Sequence, residues 1–357
     1  MKSLPLKLTI FIILLFALVI TTCLLWTPVR IRYYTAKLKS DNLKERVAGI
    51  DFLLANGKEG IDALAKNLHG GQDAAKLIAF CWNDINMDLL GEFPPSERGW
   101  YAGKAWHLWH PIHEASARGL IDTASLLVDK GARLDIDGSR NPYDHGKYWP
   151  SGKPLHIAAK TGNTRMVLLL INKGADVNAP DRTGNWTALH IAAQFGHYNV
   201  AKLLIKNGAA LDAEYFHGKT SIEYMGDHPP STPLAEAVKC WDYKERAPDY
   251  CRNYIEDGEQ HIRVAKLLLE NGASINHTDT HGQSILQQAI YADCPLVVIR
   301  FLVDSGADIF IRDKKYGLTA MDIALNKRIK ENHNEIVSLL RAHGGKTGEE
   351  LKKEAGE

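Results

Sequence analysis

This chain says one phrase twice, and that repetition constrains its fold more than any single residue does. Residues 154–178 read PLHIAAKTGNTRMVLLLINKGADVN, and residues 188–212 read ALHIAAQFGHYNVAKLLIKNGAALD. The two begin 34 residues apart, so one structural unit recurs almost without slippage. A period of this length, with two short apolar blocks per copy and a glycine closing each, specifies a stacked helical array. Such an array is built from contacts between neighbours and has no closed pocket by default, which directs the reading toward binding and away from catalysis.

Each copy is physically legible. Pro154 suits the first turn of a helix, where its missing N–H is no loss. Ala158 and Ala159 let a neighbouring helix approach closely, and Gly162 ends the helix in a conformation that glycine adopts at low cost. The run Met166 to Ile171 is apolar nearly all round, which predicts a helix sandwiched between neighbours. On that reading Leu168, Leu169, Leu203 and Leu204 all lie in the core. Gly174 caps the run, and Asp176-Val177-Asn178 leads into a projecting hairpin, or finger.

These residues resemble the ankyrin repeat. Its Thr-Pro-Leu-His stands here as Lys153-Pro154-Leu155-His156 and Thr187-Ala188-Leu189-His190. Its Ala-Ala-x-x-Gly-His is Ala192 to His197, and Gly-Ala-Asp-Val-Asn is intact from Gly174 to Asn178. Upstream, His110-Pro111-Ile112-His113 opens a weaker copy that closes at Gly131-Ala132. Downstream, Thr232-Pro233-Leu234-Ala235 opens a fourth, whose second helix comes late, at Val264 to Leu269. Ser284 to Asp308 makes a fifth, and Thr319 to Leu340 a sixth, whose mixed polar character suits a terminal cap.

The resemblance implies an all-α ankyrin solenoid of about six repeats over residues 105–345, with short β-hairpin loops, working as a protein-binding module. It also implies a binding face made of finger tips and first-helix ends. In register these are Arg182, Asn185 and Trp186 at a tip, and Arg118, Lys160, Gln194, Phe195 and Tyr291 at helix ends. Trp186 is a residue the repeat itself does not need, and Phe195 stands where core packing does not demand an aromatic. Exposed aromatics flanked by cations have the composition of an interface hot spot. A rival reading makes the array a spacer or scaffold without a specific partner.

Residues 8–26 carry no charge, and 19 residues of helix span roughly 30 Å, about one bilayer core. Trp26 lies where an interfacial aromatic belongs. The expectation is an N-terminal membrane anchor, residues 1–30, in contact with the lipid bilayer. A cleaved signal peptide is the alternative; against it, the run is long and no Ala-x-Ala-like site follows. A lipidated Cys23 would need a small residue where Thr22 stands. Arg30, Arg32, Lys37 and Lys39 after the span and Lys2 and Lys7 before it pull the orientation opposite ways, which leaves the side open.

Residues 31–104 read as a helical spacer and cap, resembling one HEAT-type unit or an unrelated hairpin. Ser40 or Asp41 would cap a helix with Leu43, Val47, Ile50 and Leu54 on one face, followed by a shorter helix with Ile61, Leu64 and Leu68. Residues 241–260 insert in the fourth repeat, where Cys240 and Cys251 could pair outside a reducing compartment. Residues 346–357 read as a polar, frayed tail.

Net charge is +1, from 43 Lys and Arg against 42 Asp and Glu, so no nucleic-acid partner is expected. His107, His110 and His113 recur every third residue, but Pro111 interrupts any helix through them, and no metal is expected. Gly218-Lys219-Thr220 and Gly345-Lys346-Thr347 mimic the end of a phosphate loop without its first glycine. With no catalytic motif, neither enzyme activity nor a cofactor is expected.

Overall fold

The computed structural model describes residues 4–84, 109–139, 151–181, 186–214, 231–239, 258–292, 294–326 and 333–356. The chain divides into two compact units, residues 1–88 with 110–133 and residues 89–109 with 134–357. The expected boundary between spacer and repeats, near residue 104, lies outside the described residues, as do the insertion's Cys240 and Cys251.

The first unit begins with α1 (Leu4–Lys37), followed by α2 (Leu43–Ala55), α3 (Gly57–Asn67) and α4 (Gly71–Cys81). It closes with the first repeat, α5 (Pro111–Arg118) and α6 (Ile121–Asp129). The start of α2 is capped by Asn42, not by Ser40 or Asp41: its Oδ1 accepts the Lys44 N–H at 2.9 Å. Ser40 instead accepts from the Asn42 N–H and donates to Glu45. The buried face of α2 runs through Gly49, Ile50 and Leu53, while Leu43 is exposed, a rotation from the expected stripe. Tyr34 near the end of α1 stacks on Phe52 of α2 at 4.0 Å, with Arg30 over the same ring. Trp82 donates to Asp51 at 2.7 Å, and Lys130 donates to the Trp82 carbonyl while lying over its indole.

Among the described residues no helix is long and apolar enough to cross a membrane. The anchor expected over 8–26 is therefore not supported there. Its backbone is helical within α1, but the side chains of 8–10, 17–19 and 21–25 lie outside the described ones.

The second unit stacks the other repeats as two rows. The inner row is α7 (Pro154–Lys160), α9 (Ala188–Gln194), α11 (Pro233–Lys239), α13 (Ile285–Tyr291) and α15 (Ala320–Ala324), each packed on the next. The outer row is α8 (Thr164–Asn172), α10 (Tyr198–Lys206), α12 (Gly258–Glu270), α14 (Leu296–Asp304) and α16 (His333–Ala342), each packed on its own inner partner. Inner helices are short and buried almost throughout, because small residues such as Ala158, Ala159, Ala192 and Ala193 face neighbours on both sides.

Outer helices bury one face only. In α8 that face is Met166, Val167 and Leu170, and Leu168 is 44% exposed, contrary to the sandwiched helix expected for this run. The reason is geometric: two residues along a helix is about 200° around it, so a residue two after a core position faces solvent. Leu169 and Leu203 are half-buried, and Leu204 is fully buried.

Strand is sparse among the described residues. β1 (Gly138–Ser139) and β2 (Ser151–Gly152) pair antiparallel, Gly138 opposite Gly152, and Thr278 bridges Ser284. The C-terminal segment is not frayed as expected. Thr347 caps a final helix, α17 (Gly348–Ala355), by exchanging bonds with Glu350, and Arg341 grips Glu350 with two bonds of 3.0 Å.

Candidate partner-binding surface

Four polar series run along the second unit, and they set how rigidly its surface is held. The first sits at the start of each inner helix. His156 Nδ1 accepts the Lys153 N–H, and its Nε2 donates to the Trp186 carbonyl of the next finger at 2.9 Å. His190 does the same, accepting from Thr187 and donating to the Ala213 and Ser231 carbonyls. In the fifth repeat Gln287 takes the place: its Oε1 accepts the Ser284 N–H at 2.7 Å and its Nε2 donates to the Ile311 and Leu318 carbonyls. In the sixth, Asp322 has no proton to donate onward. Its carboxylate accepts from Thr319 and from the Gly348 N–H of the capping helix at 2.8 Å, so the array ends on an acceptor.

The second series closes the far ends of the inner helices, whose last carbonyls have no partner within the helix. His197 Nε2 donates back to the Lys160 carbonyl at 3.0 Å, and His261 Nε2 to the Gln194 carbonyl at 3.0 Å. Cys294 serves α11, the inner helix of the fourth repeat, its Sγ donating to the Val238 carbonyl at 3.3 Å. Glycine is required beneath these rings: a Cβ at Gly162 would lie 2.8 Å from the His197 ring, on a backbone with φ +68°. Gly196 meets His261 in the same way.

The third series joins fingers. Asn178 accepts the Ala210 N–H, Asp212 the Ser274 N–H and Asn276 the Asp308 N–H, at 2.8, 2.9 and 2.8 Å. The fourth turns one aspartate per finger inward: Asp181 accepts from Trp186, Asp279 from His281 and Gln283, and Asp313 from Lys315, Tyr316 and Leu318. Sequence reasoning missed these series except for the repeat histidine; of the others only Asn178 and Asp212 recur in register between the two clear copies, while Asn163 stands opposite His197 and Tyr215 opposite Asp181.

Burial pushes the His156, His190 and His197 imidazoles down, His190 to about 4, because charging a buried ring costs its hydration. Bonds from their ring N–H groups to carbonyls act the other way and are the smaller effect.

On this scaffold the expected binding residues fall into four groups. Lys160, Gln194, Phe195 and Tyr291 lie at the ends of the inner helices α7, α9 and α13 of the second unit. The Lys160 ammonium lies 5.5 Å from the Phe195 ring, which stacks on His197, and Tyr291 is 71% exposed. Trp186 is half-buried at a finger base, its backbone bonded on both sides and its ring 6.0 Å from His190. Arg118 belongs to the first unit, where it pairs with Glu114 at 2.6 Å and Asp73 at 3.5 Å. Arg182 and Asn185 lie outside the described residues.

The remaining candidates are accounted for locally. His113 Nδ1 accepts the His110 N–H, Pro111 opens α5, and His107 lies outside the described residues. Among the described residues no group of three His, Cys, Asp or Glu could hold a metal ion. Lys346 pairs with Glu354 and Thr347 caps α17, while Gly218 to Thr220 lies outside the described residues.

An array of helix pairs coupled finger to finger, presenting helix ends and tips, defines a class of protein, and family comparison gives the same class. A model of ankyrin repeats in three copies matches residues 49–181 and 112–215, and a model of ankyrin repeats in many copies matches residues 268–324. Together the matches cover more than half of the chain, which belongs to the ankyrin-repeat proteins. The first match starts at residue 49, inside the segment expected to be a separate spacer. No curated relative matches this chain. Ankyrin repeats indicate a protein–protein interaction module.

Proposed function

We propose that the protein binds a partner protein on the surface formed by the inner-helix ends and the adjoining fingers of its second unit, while α1 tethers it to a lipid bilayer. The observation that carries the binding reading is the exposure of Tyr291, together with the Lys160–Phe195 pair, at positions where the stack needs no aromatic. An aromatic anchor of this kind is worth about 2 kcal/mol or more when a partner buries it. The spacer reading predicts no such placement. The test is Phe195→Ala with Tyr291→Ala, comparing the melting midpoint with recovery of a co-purifying partner. Loss of the partner at an unchanged midpoint is the expected result; retention of the partner, or a large fall in midpoint, defeats the assignment.

Phe11 to Phe16 support the tether. These six consecutive apolar residues are 45–65% exposed, and six consecutive residues go once and more around a helix. A helix apolar on every side and covered on none is stable where lipid surrounds it. The chain is expected to stay with membranes through a carbonate wash and to keep residues 8–26 in the mature protein. Release into the supernatant, or a mature N-terminus beyond residue 26 by mass spectrometry, removes the tether.

A further inference from the structure

The tip of the last described finger offers a chemistry that the inner-helix ends do not. Arg312, Lys314 and Lys315 are all exposed there, and the one carboxylate among them, Asp313, is buried. Asp313 Oδ1 accepts the Lys315 and Tyr316 N–H groups at 2.9 and 2.7 Å, and its Oδ2 accepts the Leu318 N–H at 3.1 Å. Its charge is thus spent inward on backbone donors, which shapes the tip and leaves three cations facing out. Among the described residues neither Arg312 nor Lys314 has an ion-pair partner. Glu349, an exposed acid, follows Gly348, which abuts the Gly317 carbonyl, so over residues 312–318 and 349 three exposed cations stand against one exposed acid.

Tyr316 follows these cations in the chain, 68% exposed, with the Lys315 ammonium 5.0 Å from its ring, and Leu318 is exposed too. The tip is held in place as well as shaped. The Lys314 N–H donates to the His281 carbonyl of the preceding finger at 2.8 Å, so two fingers share one edge. Exposed cations beside an exposed aromatic match carboxylates flanking an apolar side chain, because the cations steer the charges and the ring supplies buried area.

We propose that this tip docks an acidic peptide segment of the partner, with Asp or Glu side chains on Arg312, Lys314 and Lys315 and an apolar side chain against Tyr316. This rests on the reading of the second unit as a protein-binding surface and names the partner's chemistry. The same cations would also suit an anionic membrane surface; an exposed ring beside cations on a tip bonded to the preceding finger favours a peptide, which can place one apolar side chain against the ring and carboxylates on the cations.

The test uses the full chain and three probes, with a non-ionic detergent present for the two peptides and removed before the vesicles. These are a fluorescein-labelled short peptide of Asp and Glu carrying one Leu, its Asn and Gln counterpart, and vesicles of phosphatidylserine with phosphatidylcholine. The acidic peptide is expected to bind, more weakly as salt rises. Lys314→Glu with Lys315→Glu should weaken it at least about tenfold, and Tyr316→Ala comparably, at unchanged melting midpoints. The same charge change placed on the outer helices, Lys202→Glu with Lys266→Glu, should leave the affinity within about twofold, since those cations lie far from the tip in sequence and in row. Equal affinity for the neutral peptide, or no effect of the tip variants, overturns the proposal. Vesicle binding that depends on Lys314 and Lys315, without peptide binding, overturns it in favour of a membrane contact. The broader reading is decided by partner recovery with the Phe195 and Tyr291 variants, so the two fail separately.

Discussion

Acidification from pH 7 to pH 4 is expected to destabilise the second unit by about 3 kcal/mol through His190 alone. His190 has a folded pKa pushed down to about 4 by burial, against an ordinary value of 6.5. Its unfolded form takes up a proton first as the pH falls, so protons favour the unfolded chain across that window. Stability is complete above about pH 6.5 and is lost as the pH falls toward 4. His156 and His197 are shifted in the same direction by the same cause and add to the effect. Asp137 works the other way at the low end, since burial raises its pKa and it is protonated more readily folded. Urea midpoints at several pH values measure the slope. His190→Gln supplies the control, because Gln287 already bridges its helix start to the next finger without a titrating group. The variant should show a shallower acid dependence; an unchanged slope would mean that His190 does not carry it.

Leu204→Ala is expected to cost about 2–5 kcal/mol, since it removes a fully buried side chain and leaves a cavity between stacked helices. Leu168→Ala, at the solvent side of the equivalent helix, should cost less than about 1 kcal/mol. Chemical denaturation of both variants checks the pair. Equal losses would contradict the inner and outer faces assigned to the outer row. The contrast is informative because both leucines sit in similar apolar runs, and composition alone treats them alike.

The Leu168 case shows where sequence reading stops. An apolar run six residues long, Met166 to Ile171, looks the same whether a helix is covered on two sides or one. Coverage depends on how the inner row is placed, which is a property of the stack. Trp186 illustrates the opposite limit. As an extra residue in the repeat it reads as a surface addition, yet its carbonyl receives the His156 ring N–H and its ring lies near His190. The C-terminal segment was misread for a further reason. Its alternating charges lack an apolar period, but Arg341–Glu350, Lys346–Glu354 and Gly348–Asp322 hold a helix by polar bonds. Helix α2 shows a smaller error of the same origin, since Asn42, Asp41 and Ser40 are all able caps and only local geometry selects one.

The sequence by itself determined the class of fold. Two copies 34 residues apart, with Pro or Ala opening and Gly closing each helix, admit little besides a helical repeat stack, because each copy must bury its apolar face on the next. The sequence also named the repeat histidine and placed Lys160, Phe195 and Tyr291 at helix ends. Tertiary structure alone decided which residues link the repeats. His197 reaching Lys160, Cys294 reaching Val238 and Asp322 receiving Gly348 join residues 26 to 56 positions apart. No local pattern records such bonds, because a donor and its acceptor become neighbours only once the repeats have stacked. The same holds for charge. Asp313 counts as an acid in composition, but folding turns it onto backbone N–H groups, and only then is the finger tip left positive.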